Sequence, residues 1–313
     1  MQQWSFGVQR ELPANFIGEV NYVGTKSTHL DVLSDFNQPI AGVQPYSNFG
    51  YIEYLDSIGS GVYHGLEAML DRRFQNGLSF RLSYTYSRSI DNTPEELSSN
   101  SGAAQNGRDY SAWRGPSDFD IPHRVAISYV YDLPFGHGKQ FLQSGLLSYI
   151  VGGFRTSGVY SYSSGRPFTV NSGGTISSSL DPFGAATAVP NLIGAPTIVG
   201  SPDCWYYVAK NSFCQATAAG LSDAFQLQSL GQFGNAGRNL LRGPHASVFD
   251  FALTRDFPLA ERTNLAFRWE VFNLTNTPMF GQPNNNFSSS AGGRITTLAG
   301  DPRVMQFALR LSF

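Results

Sequence analysis

The chain carries little charge and almost no lysine. Charged residues make up 14% of its 313 residues, whereas ordinary globular domains carry roughly 25%. Lysine occurs only at Lys26, Lys139 and Lys210, in segments that the sequence predicts to be loops or turns. A soluble β protein of this length would normally expose charged side chains on its solvated strand faces. The low content of charged residues therefore counts against a protein with a fully water-exposed surface. The net charge of −2 does not indicate a nucleic-acid partner.

Long hydrophobic runs are also missing. No segment approaches the roughly 18 consecutive apolar residues that a membrane-spanning helix requires, and the mean hydropathy is slightly negative. These two observations exclude a helical membrane protein. The first residues, Met1 to Phe6, do not show a basic segment followed by an apolar one. The sequence therefore predicts no secretory signal peptide.

Cysteine is limited to one pair. Cys204 and Cys214 lie in a loop-like segment that also contains Trp205, Tyr206 and Tyr207. No cluster of histidine and cysteine surrounds the pair, so a metal site is less well supported than a small disulfide-closed loop. Such a loop forms in an oxidising compartment. The sequence therefore predicts a Cys204–Cys214 disulfide.

What the chain does contain is a strict alternation of apolar with polar or small residues, clearest at its carboxyl end. A transmembrane β-strand needs about 9–11 residues of this pattern, whereas chain ends of soluble proteins are usually polar and frayed. The pattern predicts that the last strand lies in a membrane wall and that its apolar residues form an assembly signal. These residues are Phe307, Leu309, Leu311 and Phe313, preceded by Met305.

The same alternation recurs along the chain and predicts about nine strands. The short connections are residues 12–15, 75–77, 135–150 and 258–262, and the long ones are 24–59, 90–122, 164–246 and 275–302. Long structureless loops are uncommon in compact soluble domains, whereas outer-membrane barrels have short periplasmic turns and long extracellular loops. The predicted fold class is therefore all-β, an antiparallel transmembrane β-barrel.

The charged residues within the strands support this interpretation. An Arg or Lys that faces lipid at the bilayer midplane costs about 2–4 kcal/mol. Five charged residues lie at positions opposite in parity to the aromatic and aliphatic ones, and we expect them to face the barrel lumen. They are Arg81, Asp132, Arg268, Glu270 and Arg310.

Several short segments resemble a known family. They are residues 81–91 (RLSYTYSRSID), 120–124 (DIPHR), 131–136 (YDLPFG), 164–168 (SGRPF) and 267–276 (FRWEVFNLTN). Together they resemble the C-terminal barrel of Oar-like TonB-dependent outer-membrane transporters, over nearly the whole chain. The resemblance implies a barrel of about 22 strands that takes up or recognises a bulky ligand. It also implies an N-terminal plug inside the barrel and energy supplied by an inner-membrane TonB complex.

The chain departs from that family pattern, because it shows no signal peptide, no plug and no TonB-contacting segment. About nine strands is an odd number, whereas single-chain bacterial barrels have an even number. We therefore expect residues 1–313 to be one partial barrel domain, which is either the C-terminal part of a longer receptor or the product of a truncated reading frame.

These observations predict transport or ligand reception at the outer membrane of a Gram-negative bacterium, without catalysis, cofactor or metal. The expected partners are outer-membrane lipid, the barrel-assembly machinery through the C-terminal strand, and an unidentified extracellular ligand. The TonB complex would bind through the plug that the chain lacks. Ligand specificity is expected in the long loops, above all in residues 164–246.

Two other functions stay open at this stage. One is a soluble extracellular β protein such as an adhesin, whose apolar faces pack together. The other is an outer-membrane barrel hydrolase built around His123, although the segment Asp118–Arg124 is better explained as charges that pair at the barrel rim. A calcium site formed by Asp91, Asn92, Glu95 and Glu96 lacks the glycine turn of a calcium loop.

Overall fold

A computed structural model of the chain describes residues 1–40, 42–93, 104–173, 180, 188–229 and 231–313. Strands dominate this part of the chain. The two α-helices, α1 (Leu146–Val151) and α2 (Ser212–Thr217), have six residues each, and a 3-10 turn covers Pro13–Asn15. Among the described residues, no helix is both long enough and apolar enough to cross a membrane.

The described residues form sixteen strands. In chain order they are β1 (Gln2–Leu12), β2 (Phe16–Asp35), β3 (Glu53–Gln75), β4 (Leu78–Asp91), β5 (Gly115–Pro116), β6 (His123–Asp132), β7 (Phe154–Ser163), β8 (Pro167–Phe168), β9 (Asn191–Leu192), β10 (Ile198–Ser201), β11 (Cys204–Tyr206), β12 (Phe225–Gln226), β13 (Leu241–Arg242), β14 (Ala246–Ala260), β15 (Thr263–Phe272) and β16 (Val304–Ser312).

Nine long strands form one sheet in the order β1-β2-β3-β4-β6-β7-β14-β15-β16, and each strand is antiparallel to the next. The two-residue strand β5 also pairs with β4 in this sheet. This confirms the predicted all-β antiparallel fold and its nine strands. The turn at Asn76 and Gly77 has φ values of 52° and 80°, which a two-residue hairpin turn requires at both central positions. The short connections all lie at one rim of the sheet and the long ones at the other.

The prediction of a loop over residues 24–59 was wrong. β2 and β3 pair as far as Asp35 and Glu53, with irregular register between Thr28 and Val32, so only residues 36–52 form the loop. Lys26, expected in a loop, lies inside β2 opposite Val62. The reason is physical: beyond the membrane a strand needs no apolar face, so the alternation stops while the backbone pairing continues.

The hydrophobic core lies in the long loops and not behind the sheet. The main cluster of buried side chains contains Val32 from the outer end of β2, and its other members come from the loop segments. They are Ala104, Tyr110, Trp113, Phe168, Val170, Val189, Tyr206, Val208, Ala224, Phe225, Ala236, Leu241 and Phe287. The strands leave large apolar side chains such as Phe6, Phe307 and Leu309 exposed. A sheet of this kind requires an apolar solvent on one side.

Candidate functional site

One face of the sheet is polar. The register aligns Asp71, Arg81, Ser128, Val159 and Asp250 across five adjacent strands, and directly paired residues point to the same side. We call this side the polar face. All five residues predicted to face the lumen belong to it: Arg81, Asp132, Arg268, Glu270 and Arg310.

Ion pairs form between side chains on the polar face, both between strands and within one strand. Arg81 Nε lies 2.8 Å from Asp71 Oδ1, and Arg268 Nη2 lies 2.6 Å from Glu270 Oε1. At the short-turn rim, Asp132 Oδ1 lies 2.6 Å from Arg155 Nε. A shallow pocket of about 360 Å³ lies on this face and is lined by Asp71, Arg81, Asp250 and Glu270 among others. The polar face therefore offers charges of both signs to a polar solute or to a protein segment.

The opposite side is apolar, and we call it the apolar face. Phe307, Leu309 and Leu311 of the predicted assembly signal lie on it, and Phe313 follows the end of β16; all four are exposed. Arg10, Arg72 and Arg255 also lie there, close to the short-turn rim, and two of them stack on aromatic rings. The guanidinium carbon of Arg255 is 4.1 Å from the Phe257 ring centroid, and that of Arg72 is 5.6 Å from the Phe16 centroid. Stacking on aromatic rings reduces the cost of a cation at this position.

The long loops pack together into a cap at the other rim. The cap consists of residues 36–52, 92–122, 164–245 and 273–303, as far as the structure describes them. A chain of aromatic contacts joins residues 164–245 to the 273–303 loop: the Phe168 and Tyr206 centroids are 5.7 Å apart, Tyr206 and Phe225 are 6.3 Å apart, and Phe225 and Phe287 are 6.0 Å apart. Burial raises the pKa of Tyr206 strongly. The cap therefore has a core of its own.

Buried ion pairs fasten the cap to the sheet. The Arg238 side chain is 3% exposed; it pairs with Asp91 at the end of β4 and lies 2.9 Å from Asp118. Arg242 pairs with Asp120, and its Nη1 donates to the Asp120 carbonyl at 2.9 Å. These contacts bring residues 164–245 against the 92–122 loop.

The neighbourhood of His123 does not support the hydrolase. The carboxylates of Asp118 and Asp120 pair with the two arginines of the cap, and Nδ1 of His123 lies 2.9 Å from Oη of Tyr84. The His123 ring also packs against Tyr86, with centroids 5.1 Å apart. This is the rim pairing of charges that explained the segment Asp118–Arg124.

The two cysteines lie inside the cap. Cys204 and Cys214 are bonded, and both side chains are fully buried. The neighbouring Asn211 accepts from the Phe213 backbone N–H at the start of α2 and donates from Nδ2 to the carbonyls of Asp203 and Gly292, both at 2.9 Å. The disulfide and Asn211 together fix the segment around α2 to the 273–303 loop.

A further pocket, which the sequence did not indicate, lies at the outer end of the β2–β3 hairpin. This hairpin pocket has a volume of about 340 Å³, and its lining includes Phe36, Tyr46, Tyr54, Asp56 and Arg108. The Phe36 ring centroid is 5.9 Å from that of Tyr46 and 5.4 Å from that of Tyr54. All three rings are exposed. The density of aromatic residues between positions 36 and 54 is the signal that the sequence offers for this pocket, but the lack of alternation in the same segment predicts only a loop.

Tyr110 stands beside the hairpin pocket and connects it to the cap. Its hydroxyl donates to the Leu33 carbonyl. Burial, with smaller contributions from Tyr51 and Asp56, raises the pKa of Tyr110 to about 12. Tyr110 is therefore neutral at physiological pH and acts as a hydrogen-bond donor there.

Within the part of the chain that the structure describes, no group of three His, Cys, Asp or Glu side chains is arranged to hold a metal ion. Glu95 and Glu96 of the calcium hypothesis lie outside the described residues. Asp91 and Asn92 are used inside the protein: Asp91 pairs with Arg238, and Asn92 Oδ1 accepts from the Ser60 backbone N–H at 2.7 Å.

Comparison with known proteins gives one family. A model described as outer membrane beta barrel domain matches residues 1–306, while a search of curated proteins found no match. Similar solved structures include the outer membrane transporter YddB from Escherichia coli, at 12% identity and a TM-score of 0.48, over 99% of this chain and 32% of that one. The ferric-catecholate import receptor Fiu from E. coli K12 is 12% identical, with a TM-score of 0.46, over 99% of this chain and 27% of that one. The Pseudomonas aeruginosa ferripyoverdine receptor is 10% identical, with a TM-score of 0.45, over 99% of this chain and 27% of that one. The chain spans about a third or less of the length of these structures.

Proposed function

The chain belongs to the outer membrane beta barrel domain family, and from that premise we propose that it transports or receives a bulky ligand, without catalysis. Its location is the outer membrane of a Gram-negative bacterium. A soluble extracellular protein such as an adhesin is set aside, because the family is membrane-embedded and the apolar face then lies against lipid.

The observation that carries the proposal is the combination of two opposite faces with a folded cap at one rim. The apolar face suits lipid, and the polar face suits a water-filled or protein-filled lumen. The cap stands at the long-loop rim, which is extracellular in barrels of this kind. A ligand that arrives from outside would meet the cap before it reaches the polar face.

We propose the hairpin pocket as a point of ligand contact. Its volume of about 340 Å³ falls in the range of small-molecule sites, which are mainly apolar with a few polar groups. The rings of Phe36, Tyr46 and Tyr54 would provide the apolar contact area, and Asp56 and Arg108 would orient polar groups. A bulky ligand would extend beyond this pocket across the cap.

The resemblance to Oar-like transporters extends the proposal to partners. It implies a plug domain within the barrel and energy from a TonB complex, with residues 1–313 as one partial barrel domain. Arg81, Asp132, Arg268, Glu270 and Arg310 would then face the plug or the solute path. The C-terminal residues Phe307 to Phe313 would engage the barrel-assembly machinery.

The function can be tested by comparing the growth medium of a strain that carries the gene with that of a deletion strain. We expect at least one large solute to be depleted by the first strain and to remain with the second. Collapse of the proton-motive force should abolish the depletion. If no solute differs between the strains, or if depletion continues without the proton-motive force, the proposed energy-dependent transport is wrong.

The pocket can be tested with the solute identified in this way. We expect Tyr54→Ala to reduce its binding and uptake while the amount of protein in the outer membrane is unchanged. Phe119→Ala is a matched control, because Phe119 is an exposed aromatic residue of a different cap loop. Equal effects of the two substitutions would argue against a specific role for the hairpin pocket.

A further inference from the structure

A short apolar helix lies at the rim of the short turns. α1 belongs to the connection between β6 and β7, and four of its six side chains are more than half exposed: Leu146 77%, Leu147 58%, Tyr149 79% and Ile150 56%. No charged residue occurs between Gln140 and Phe154. A contiguous apolar patch of this kind marks a surface that contacts something other than water.

The helix is attached to the apolar face of the sheet. Arg255 of β14 is paired with Phe154 and Phe267 on that face. Its guanidinium donates to the carbonyl oxygens of Tyr149 and Ile150, at 2.5 and 2.8 Å. The same guanidinium lies over the Phe154 ring, 5.1 Å from the centroid. The apolar surface of α1 is therefore continuous with the apolar face of the sheet.

The two ends of the connection between β6 and β7, which contains α1, contact each other. A Cβ atom on Gly136, which has a φ of 108°, would lie 2.7 Å from the Cα atom of Gly152. The Leu133 backbone N–H donates to the Phe154 carbonyl at 2.9 Å, and the Gly136 N–H donates to Phe141 at 3.0 Å. These contacts hold the helix in a fixed position beside the wall.

We infer that α1 lies in the periplasmic leaflet of the outer membrane, with its apolar side chains among the phospholipid acyl chains. Three observations support this occupant: the continuity with the apolar face, the absence of charge, and the position at the rim of short turns, which is periplasmic in such barrels. Apolar helices at an interface enter the boundary between headgroups and acyl chains, and tyrosine is enriched at that depth. The helix thereby fixes the depth of this part of the wall in the bilayer.

The inference can be tested with a nitroxide spin label on Leu147→Cys in the protein reconstituted in phosphatidylethanolamine and phosphatidylglycerol vesicles. Cys204 and Cys214 are bonded to each other, so the label has a single target. Ile193→Cys provides the control, because Ile193 is an aliphatic residue of the cap with an exposure of 60%, close to the 58% of Leu147. The measured quantity is the collision rate with oxygen, which concentrates in lipid, relative to that with a water-soluble nickel complex.

We expect the oxygen-to-nickel ratio at position 147 to be several-fold higher than at position 193. Equal ratios would overturn the inference, and so would a nickel-accessible label at 147 that becomes protected only when periplasmic extract is added, because that result assigns the surface to a protein. Ile150→Cys gives a second reading with the same expectation if the first variant does not assemble. A failure here leaves the transport proposal intact, because uptake is measured separately.

Discussion

At the level of single residues, burial decides which ion pairs matter. The Arg238 side chain is 3% exposed, whereas that of Arg268 is 59% exposed, although each pairs with a carboxylate. Removing one partner of a buried pair leaves an uncompensated charge and costs about 3–5 kcal/mol. An exposed pair contributes about 0.2–1 kcal/mol. The two arginines therefore form a matched comparison within one protein.

We predict that Arg238→Met lowers the free energy of opening of the cap by about 3–5 kcal/mol. Asp91 would then remain buried without its partner, and the contact of Arg238 with Asp118 would also be lost. Arg268→Met should change the corresponding value by less than about 1 kcal/mol. Both can be measured by pulse proteolysis of the detergent-solubilised protein in urea. Similar effects of the two substitutions would show that burial in the cap is not the deciding factor.

The sequence predicted the residues of the candidate site only where a local pattern exists. The alternation assigned Arg81, Asp132 and Arg268 to one face because parity is a property of neighbouring residues. The partners of Asp118 and Asp120 are Arg238 and Arg242, about 120 positions further along the chain. No periodicity connects such distant segments, so these pairs could be found only in the folded cap.

At the level of the strand, β16 offers a direct test of the two faces. Leu309 lies on the apolar face, paired with Phe267, and the adjacent Ala308 lies on the polar face, paired with Arg268. An arginine that faces lipid near the midplane costs about 2–4 kcal/mol. The same residue on the other face remains in contact with water or with charged partners.

We therefore predict that Leu309→Arg lowers the stability of the protein in lipid by about 2–4 kcal/mol and reduces its amount in the outer membrane. Ala308→Arg should have a much smaller effect, although it introduces the same charge one position away. Urea unfolding in vesicles and quantification of the outer-membrane fraction provide the two measurements. A larger loss for Ala308→Arg would mean that the assignment of the faces is reversed.

The segment around α2 depends on its disulfide. The Cys204–Cys214 bond closes a short loop, and such bonds typically contribute about 2–4 kcal/mol. We predict that the double variant Cys204→Ser with Cys214→Ser increases protease cleavage between β10 and α2 without changing the β-sheet signal in circular dichroism. Because both cysteines are fully buried, reductant should cause the same cleavage in the unaltered protein only when urea is present. Immediate cleavage after reductant alone would contradict this expectation.

The strands themselves were predictable where lipid imposes the pattern. β6, β7 and β15 have ten residues each, which is the length that crosses a bilayer. The alternation runs along each of them, with one large apolar residue on the polar face in each strand: Val130, Val159 and Phe272. The outer halves of β2 and β3 were not predicted, because a strand in water needs backbone pairing but no apolar face. The cap was not predicted for a related reason: its core is assembled from short segments that are separated by tens of residues.

At the level of the whole molecule, the sheet that the described residues form has two open edges, β1 and β16. β1 and β16 both run from the cap rim to the short-turn rim, since Gln2 pairs with Lys26 and Phe272 pairs with Val304. Two strands that run in the same direction cannot join as antiparallel neighbours. Closure therefore requires an odd number of additional strands, which would bring the total to the even number typical of such barrels. Open edges are not tolerated in lipid.

We predict that the species extracted from the outer membrane in mild detergent has a mass above the 34.2 kDa of residues 1–313, because additional strands pair with β1 and β16. A second copy inserted in the same orientation cannot supply these strands, because its β1 and β16 run in the same direction as those of the first copy, so Ser5→Cys in β1 should form no disulfide between copies. Strands from the rest of a longer polypeptide, or from a different polypeptide, would raise the mass without this cross-link. A protease-resistant species with the mass of residues 1–313 alone would contradict the prediction, because nine strands would then be stable in lipid with both edges unpaired.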